Sequence, residues 1–131
     1  SGFDMNENFV ERARKKGFDA HNLDMDFNSE IPLSEAKLLM GSLYHFQKDA
    51  IPFLLNVLSS TQLFILNEPV NNLSQKKITS KLAGKLSDTG KGAENFRYTK
   101  SDLIKLAEEI CEFSPFSFYI AHEGKKDLTL T

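Results

Sequence analysis

The chain is poor in the residues that build disulfides, zinc sites and aromatic binding surfaces. One cysteine among 131 residues excludes a disulfide within the chain and a zinc site made of several cysteines. Tryptophan is absent and there are only three tyrosines, so few amphipathic aromatic side chains are available for a stacking surface. No apolar run approaches the roughly 18 residues that cross a bilayer. We therefore expect no contact with a membrane, and the lack of a signal-peptide pattern predicts a cytoplasmic location.

The chain also has little net charge. The chain carries 16 basic and 18 acidic side chains, a net charge of −2, and its pI is about 5.9. This balance argues against nucleic acid as a partner, because domains that bind it are usually strongly basic. The one lysine-rich stretch, residues 76–91, is where phosphates could still bind. Its lysines Lys81, Lys85 and Lys91 are also a candidate contact surface for another protein.

What is present predicts one α+β domain spanning residues 1–131. Residues 99–102 resemble a helix capping box, and an apolar stripe from Leu103 to Cys111 follows at helical spacing. Alternation in residues 116–120, a turn at 122–125 and alternation in 127–131 predict a C-terminal β-hairpin. We expect three to four helices packed on a small, mainly antiparallel sheet that ends in this hairpin.

The rest of the chain gives weaker signals. Residues 1–33 read as a less regular arm that contains a short helix capped by Asn6. Ser34 and Asp49 each predict the start of a further helix, and the first would carry Leu39, Met40, Leu43 and Phe46. Residues 63–66 predict a buried central strand, closed by Asn67-Glu68-Pro69. Residues 70–98 form an uncertain basic segment. Its residue pattern fits either a helix over about 74–87 or a loop.

Residues 24–35 suggest a calcium site. Asp24, Asp26, Asn28 and Glu35 occupy ligand positions of an EF-hand loop, whose oxygen ligands bind Ca²⁺. Ser29 stands where the loop requires glycine, and Pro32 removes another ligand position. The alternative is an acidic loop leading to a Ser34-capped helix, with no cofactor bound.

The hairpin tip offers a second candidate site. His122 and Glu123 could act as acid and base in a small nuclease or toxin-like enzyme, because the imidazole titrates near neutral pH and a carboxylate can accept a proton. Turns also collect polar residues without any catalytic role. The chain contains no serine elbow and no Cys–His signature, so the evidence favours a protein that is not an enzyme.

Two stretches resemble a known family. Residues 50–66, a helix followed by a strand, and the C-terminal helix followed by residues 116–130 are similar to SseB-type (enhanced serine sensitivity) domains of bacteria. The resemblance covers about half of the chain, through apolar patterning and without a diagnostic motif. It implies a bacterial α+β domain that acts as a binding or accessory module, and it assigns no site residue.

Taken together, the sequence predicts a non-enzymatic protein-interaction or accessory domain of bacterial type, with a regulatory or toxin-neutralising role. Its expected partner is another protein. The predicted contact surface is either the acidic residues Asp19, Asp24 and Asp26 or the lysine-rich segment 76–91. The nuclease at His122 and Glu123 and the calcium-binding module at 24–35 are the two alternatives.

Overall fold

Three α-helices and two small sheets make up residues 1–70 and 96–131, which are the part of the chain described by the computed structural model. This confirms the α+β class. The predicted helix at 74–87 and the three candidate lysines lie outside the described residues. The strands are β1 (Gly2–Asp4), β2 (Ala20–Asn22), β3 (Ser34–Met40), β4 (Thr61–Pro69), β5 (Ile120–Glu123) and β6 (Asp127–Leu130), and the helices are α1 (Glu7–Lys15), α2 (Ala50–Leu58) and α3 (Lys100–Glu112).

The N-terminal arm is a β-α-β unit. Strands β1 and β2 pair in parallel, and α1 connects them. Asn6 caps α1 as predicted, because its side chain accepts a hydrogen bond from the backbone N–H of Asn8 at 3.0 Å. The two strands were not predicted, since three residues each are too short to show alternation.

Strand β3 corrects the prediction of a helix that begins at Ser34. Residues 34–40 pair in parallel with β4 over the register Ser34–Thr61 to Met40–Asn67. The run Leu38-Leu39-Met40 fits either a helix or a buried strand, and the pairing with β4 decides between them. Gly41 then adopts a φ of 58°, which turns the chain away from the sheet. Leu43 and Phe46 consequently lie beyond the strand, at a short 3₁₀ turn formed by Leu43–His45.

Strand β4 confirms the predicted strand and its central place in the sheet, but of residues 63–66 only Leu66 is buried and Leu63 is 47% exposed. The second sheet has the order β3-β4-β6-β5, in which the β3–β4 pair is parallel and the other two pairs are antiparallel. The strand continues through Asn67, Glu68 and Pro69, the three residues expected to end it.

The C-terminal region follows the prediction with shifted bounds. The capping box is present: the Thr99 side chain accepts from the backbone of Asp102, and the Asp102 carboxylate accepts from the backbone of Thr99. The first hairpin strand is Ile120–Glu123 and not residues 116–120. Phe116 and Phe118 instead pack against the core before the strand begins. His122 and Glu123 therefore lie in β5, and the turn follows them.

The main core lies between the second sheet and helices α2 and α3. Leu43, Phe53, Leu103 and Leu128 are each at most 2% exposed and belong to one cluster of buried side chains. Val10 and Ala20 of the N-terminal unit are also buried, but they lie outside that cluster. Within the described residues, no helix is long and apolar enough to cross a membrane.

Candidate functional site

A pocket of about 380 Å³ opens at the carboxyl ends of β1 and β2, which pair in parallel in the first sheet, and of β3, which pairs in parallel with β4 in the second sheet. Its lining comes from the carboxyl ends of β1 and β3, from the segments that follow β1, β2 and β3, and from the first turns of α1 and α2. In open α/β sheets, ligands bind in the crevice outside the carboxyl ends of the strands, because the connecting loops and helix N-termini meet there. The lining residues are Phe3, Asp4, Met5, Asn6, Phe9, Leu23, Asp24, Met25, Asp26, Phe27, Leu39, Met40, Gly41, Ser42, Tyr44, His45, Phe46, Asp49 and Phe53.

The first wall runs from Asp4 to Asn6, between β1 and α1. Asp4 Oδ1 accepts a hydrogen bond from the backbone N–H of Asn6 at 2.7 Å, which fixes the carboxylate at the strand end. The Asn22 amide donates to the carbonyl oxygens of Asp4 (3.3 Å) and Met5 (3.0 Å). Because these contacts join the ends of β1 and β2, the backbone of this wall is held from both strands.

The second wall is the acidic turn that follows β2. Asp26 Oδ1 accepts from the backbone N–H of Asn28 and from the Ser29 hydroxyl, both at 3.0 Å, so this carboxylate closes its own turn. The Asn56 amide of α2 donates to the carbonyl oxygens of Phe27 (3.2 Å) and Ser29 (2.9 Å). One side chain thus attaches the turn to a helix that packs on the second sheet.

The third wall is residues 41–46, after β3. Glu68 Oε1 accepts from the backbone N–H groups of Ser42 and Leu43, each at 2.7 Å. Burial raises the pKa of Glu68 from 4.5 to about 7, although the N–H donors and the charge of Arg97 oppose the rise. The Arg97 guanidinium carbon lies 3.8 Å from the centre of the Tyr44 ring, a cation–π contact.

A tyrosine supports the far end of the third wall. The Tyr98 hydroxyl donates to the carbonyl oxygen of Gln47 at 3.3 Å. Burial, followed by the negative charges of Glu68 and Asp102, raises the pKa of Tyr98 to about 12. Tyr98 is therefore a neutral hydrogen-bond donor at every pH at which the protein is expected to work.

The pocket favours a ligand that is partly cationic and partly apolar. Four aspartates, Asp4, Asp24, Asp26 and Asp49, line it, whereas its described lining contains no lysine or arginine. Carboxylates accept hydrogen bonds from hydroxyl and amino groups and attract positive charge. The remaining lining is largely phenylalanine, methionine and leucine, which suits a flat apolar group.

The calcium prediction is wrong. Asp24 and Asp26 line the pocket, but Glu35 lies within β3 and not in the first turn of an exiting helix, as an EF-hand requires. Asn28 also lies outside the pocket lining. Among residues 1–70 and 96–131, no group of three or more His, Cys, Asp or Glu side chains could hold a metal ion.

His122 and Glu123 lie away from the pocket, on β5. Glu123 forms an ion pair with Lys100 at 2.6 Å, and the hydrogen bond to Lys100 followed by its charge lowers the pKa of Glu123. His122 Nε2 is 3.8 Å from Asp127 Oδ1. Neither residue lines the cavity described above.

Sequence reasoning missed three residues that shape this site: Asp4, Tyr44 and Glu68. Asp4 is the last residue of a very short strand and lies two residues before the helix cap Asn6, which is the one local signal that could have identified it. Tyr44 lay in a stretch interpreted as helix. Glu68 lay in a stretch interpreted as a strand-ending turn, where a buried carboxylate is not expected.

Comparisons with known proteins give a fold and no close relative. No family model and no curated protein sequence matches the chain. Among solved structures, the small RNA methyltransferase HEN1 superposes with a TM-score of 0.66 at 14% identity. Magnesium protoporphyrin IX methyltransferase (ChlM) from Synechocystis PCC 6803, solved with bound SAH, superposes with a TM-score of 0.56 at 16% identity.

Both matches include nearly all of this chain but only part of the matched proteins. They cover 98% of this chain, which spans 19% of the HEN1 chain and 61% of the ChlM chain. At these identities the likeness establishes the fold alone. The fold is thus one that occurs in two methyltransferases.

These matches correct the functional predictions. The interpretation as a non-enzymatic interaction or accessory domain is contradicted, because both matched structures are enzymes. The prediction of no cofactor, or of calcium, is contradicted by the same finding, since the ChlM structure holds SAH. The resemblance to SseB-type domains is not touched by these comparisons and stays a prediction.

Proposed function

We propose that this chain binds S-adenosylmethionine in the pocket at the ends of β1, β2 and β3, as part of a methyltransferase. The observation that carries the proposal is the position of the pocket. It lies at the carboxyl ends of parallel strands in a fold shared with two methyltransferases, one of which holds SAH.

The residues present fit this cofactor. S-adenosylmethionine combines a ribose with two hydroxyl donors, a flat adenine, an amino group, a carboxylate and a positively charged sulfonium, whose methyl group is the one transferred; its net charge at neutral pH is positive. Asp4, at the end of β1, is placed to accept from the ribose hydroxyls, as acidic residues at strand ends do in dinucleotide-binding sheets. Asp24, at the end of the neighbouring strand, supplies a second acceptor for amino or hydroxyl groups.

The charge of the pocket selects this cofactor over a phosphorylated nucleotide. Phosphates bind at lysine, arginine or open helix N-termini. The described lining offers four aspartates instead, and at the N-terminus of α1 the Asn6 side chain already accepts from the Asn8 N–H. A sulfonium and an ammonium are favoured by the same carboxylates that repel a phosphate.

The resemblance does not indicate which molecule accepts the methyl group. The two matched proteins are named for small RNA and for magnesium protoporphyrin IX, which share no chemistry that this pocket could select. A partner protein and a cytoplasmic location stay predictions from the sequence.

Calorimetry with S-adenosylmethionine, SAH and AMP tests the proposal. We expect the chain to bind S-adenosylmethionine and SAH but not AMP, which keeps the nucleoside and adds a phosphate. Asp4→Asn keeps the Oδ1 acceptor for the Asn6 N–H while removing the charge, and we expect it to weaken binding about tenfold, roughly 1.4 kcal/mol. The matched control is Glu108→Gln, the same loss of charge on the exposed face of α3. Absence of binding by the wild type would overturn the proposal.

A further inference from the structure

Glu68 is a buried acid in a central strand of the second sheet. It lies opposite Leu128 in the β4–β6 pair and is 1% exposed. An isolated buried carboxylate is costly, so such a residue is normally held by strong partners or serves a purpose. Its Oε2 atom has no hydrogen-bond partner within residues 1–70 and 96–131, while Oε1 accepts both the Ser42 and the Leu43 N–H groups.

Those two backbone groups lie just where β3 leaves the sheet. Met40 is the last residue of β3 to pair with β4, opposite Asn67, and the Gly41 N–H still donates to the Asn67 carbonyl at 2.8 Å. From Ser42 onwards the backbone has left the β3–β4 ladder. The Glu68 side chain, one residue further along β4, accepts the next two N–H groups, those of Ser42 and Leu43. These hydrogen bonds keep the segment attached to β4 after the ladder ends.

The segment that Glu68 holds is under conformational strain at its far end. Gln47 has a φ of 41°, in the left-handed region that is unfavourable for a residue with a side chain. Such a backbone persists only where its surroundings fix it. Here Glu68 holds the start of residues 41–47, and the Tyr98 hydroxyl holds the end through the Gln47 carbonyl.

We infer that Glu68 is a positioning residue for the S-adenosylmethionine pocket: its carboxylate fixes the backbone of Ser42 and Leu43 and thereby places Ser42, Tyr44 and His45 in the third wall. This inference rests on the proposed function. Glu68 does not line the pocket, so it acts through the segment and not by touching the cofactor.

The charge on Glu68 strengthens this hold. An ionised carboxylate accepts hydrogen bonds about twice as strongly as a neutral group. The titratable and charged groups that face it are Arg97, which favours the ionised form, and Tyr98, whose own pKa is raised by burial and then by the charge of Glu68. His45 lies in the held segment, and Asp102 acts on Tyr98 from α3. Since the pKa of Glu68 is about 7, we expect SAH to bind more tightly at pH 8 than at pH 6.

The test combines SAH binding with amide exchange in the wild type, Glu68→Ala and Glu68→Gln. Glu68→Gln keeps an acceptor of the same size but cannot ionise, so its SAH affinity should be about two- to fivefold weaker at pH 8 and independent of pH between 6 and 8. Glu68→Ala should weaken SAH binding about tenfold or more and speed exchange of the Ser42 and Leu43 amides. Glu108→Ala, on the exposed face of α3, is the matched control and should change neither readout.

The outcomes separate this inference from the proposed function. If the wild type does not bind SAH at any pH, the proposed function fails and this inference fails with it. If the wild type binds SAH and both Glu68 variants bind it equally well with the same pH profile, the inference alone is overturned. Should Glu68→Ala fail to fold, the flat pH profile and weaker binding of Glu68→Gln still decide the matter.

Discussion

Removal of the titrating carboxyl group at Glu68 should change how stability depends on pH. In the folded chain the pKa of Glu68 is about 7, against 4.5 for an exposed glutamate. Between these two values the folded chain holds a proton that the unfolded chain has released. The folded state therefore binds more protons, and the free energy of unfolding falls as pH rises through this window.

The size of the effect follows from the same pKa. Each tenfold change in proton affinity is worth about 1.4 kcal/mol, so the difference between 4.5 and about 7 corresponds to roughly 3 kcal/mol. This loss of stability is complete a little above pH 7, and the Glu68 contribution to the free energy of unfolding stays constant at higher pH. Glu68 is almost fully buried, so solvent screening reduces this figure little.

Urea denaturation at pH 5, 6, 7 and 8 measures how the free energy of unfolding depends on pH. Glu68→Gln lacks the titration, so it should gain roughly 3 kcal/mol relative to the wild type between pH 5 and pH 8. Other groups, such as Asp102 with its lowered pKa, titrate in both proteins and cancel in the difference. A difference between the two proteins that stays constant from pH 5 to pH 8 would refute the reasoning, because Glu68 would then keep one protonation state throughout.

Three further substitutions probe the packing, the helix cap and the second wall of the pocket. Leu103→Ala should lower the free energy of unfolding by about 2–5 kcal/mol. This loss should exceed that of Leu106→Ala, because Leu103 is 1% exposed whereas Leu106 is only partly buried. Equal urea midpoints for the two variants would contradict this expectation. Thr99→Ala should cost about 1 kcal/mol through loss of the capping box, with an unchanged melting temperature as the contrary result. Asn56→Ala removes two hydrogen bonds to the turn at residues 27–29 and should speed amide exchange there while α3 is unaffected; unchanged exchange would show that the turn is held by other contacts.

The parts of the fold that the sequence predicts well depend on local signals. The helix after Thr99 has a capping box and an apolar stripe within one stretch, and the hairpin after it has alternation on both sides of a turn. Strand β3 was mistaken for a helix because its deciding interaction is the parallel pairing with β4, more than twenty residues further along the chain. Propensity cannot register a pairing at that distance.

The candidate site was harder to predict for a related reason. Its walls come from three separate strand ends, and they become neighbours only when the sheets form. Asp24 and Asp26 were interpreted as part of an acidic contact surface or, alternatively, as calcium ligands, since spacing alone cannot show that Glu35 belongs to a strand. Glu68 carries no sequence signal at all, because nothing in its neighbours indicates that it is buried.

The separation of Val10 and Ala20 from the main cluster of buried side chains has a consequence for the order in which the molecule opens. The unit β1-α1-β2 has only these two buried side chains, whereas the rest of the described chain shares one continuous core. Regions with few buried contacts open locally at a lower free energy than the rest of a protein. Asp4 belongs to this unit, whereas Tyr44 belongs to the main cluster of buried side chains. If the proposed ligand binds there, we expect binding to order this unit, and increased protection of its amides from exchange would report an occupied site.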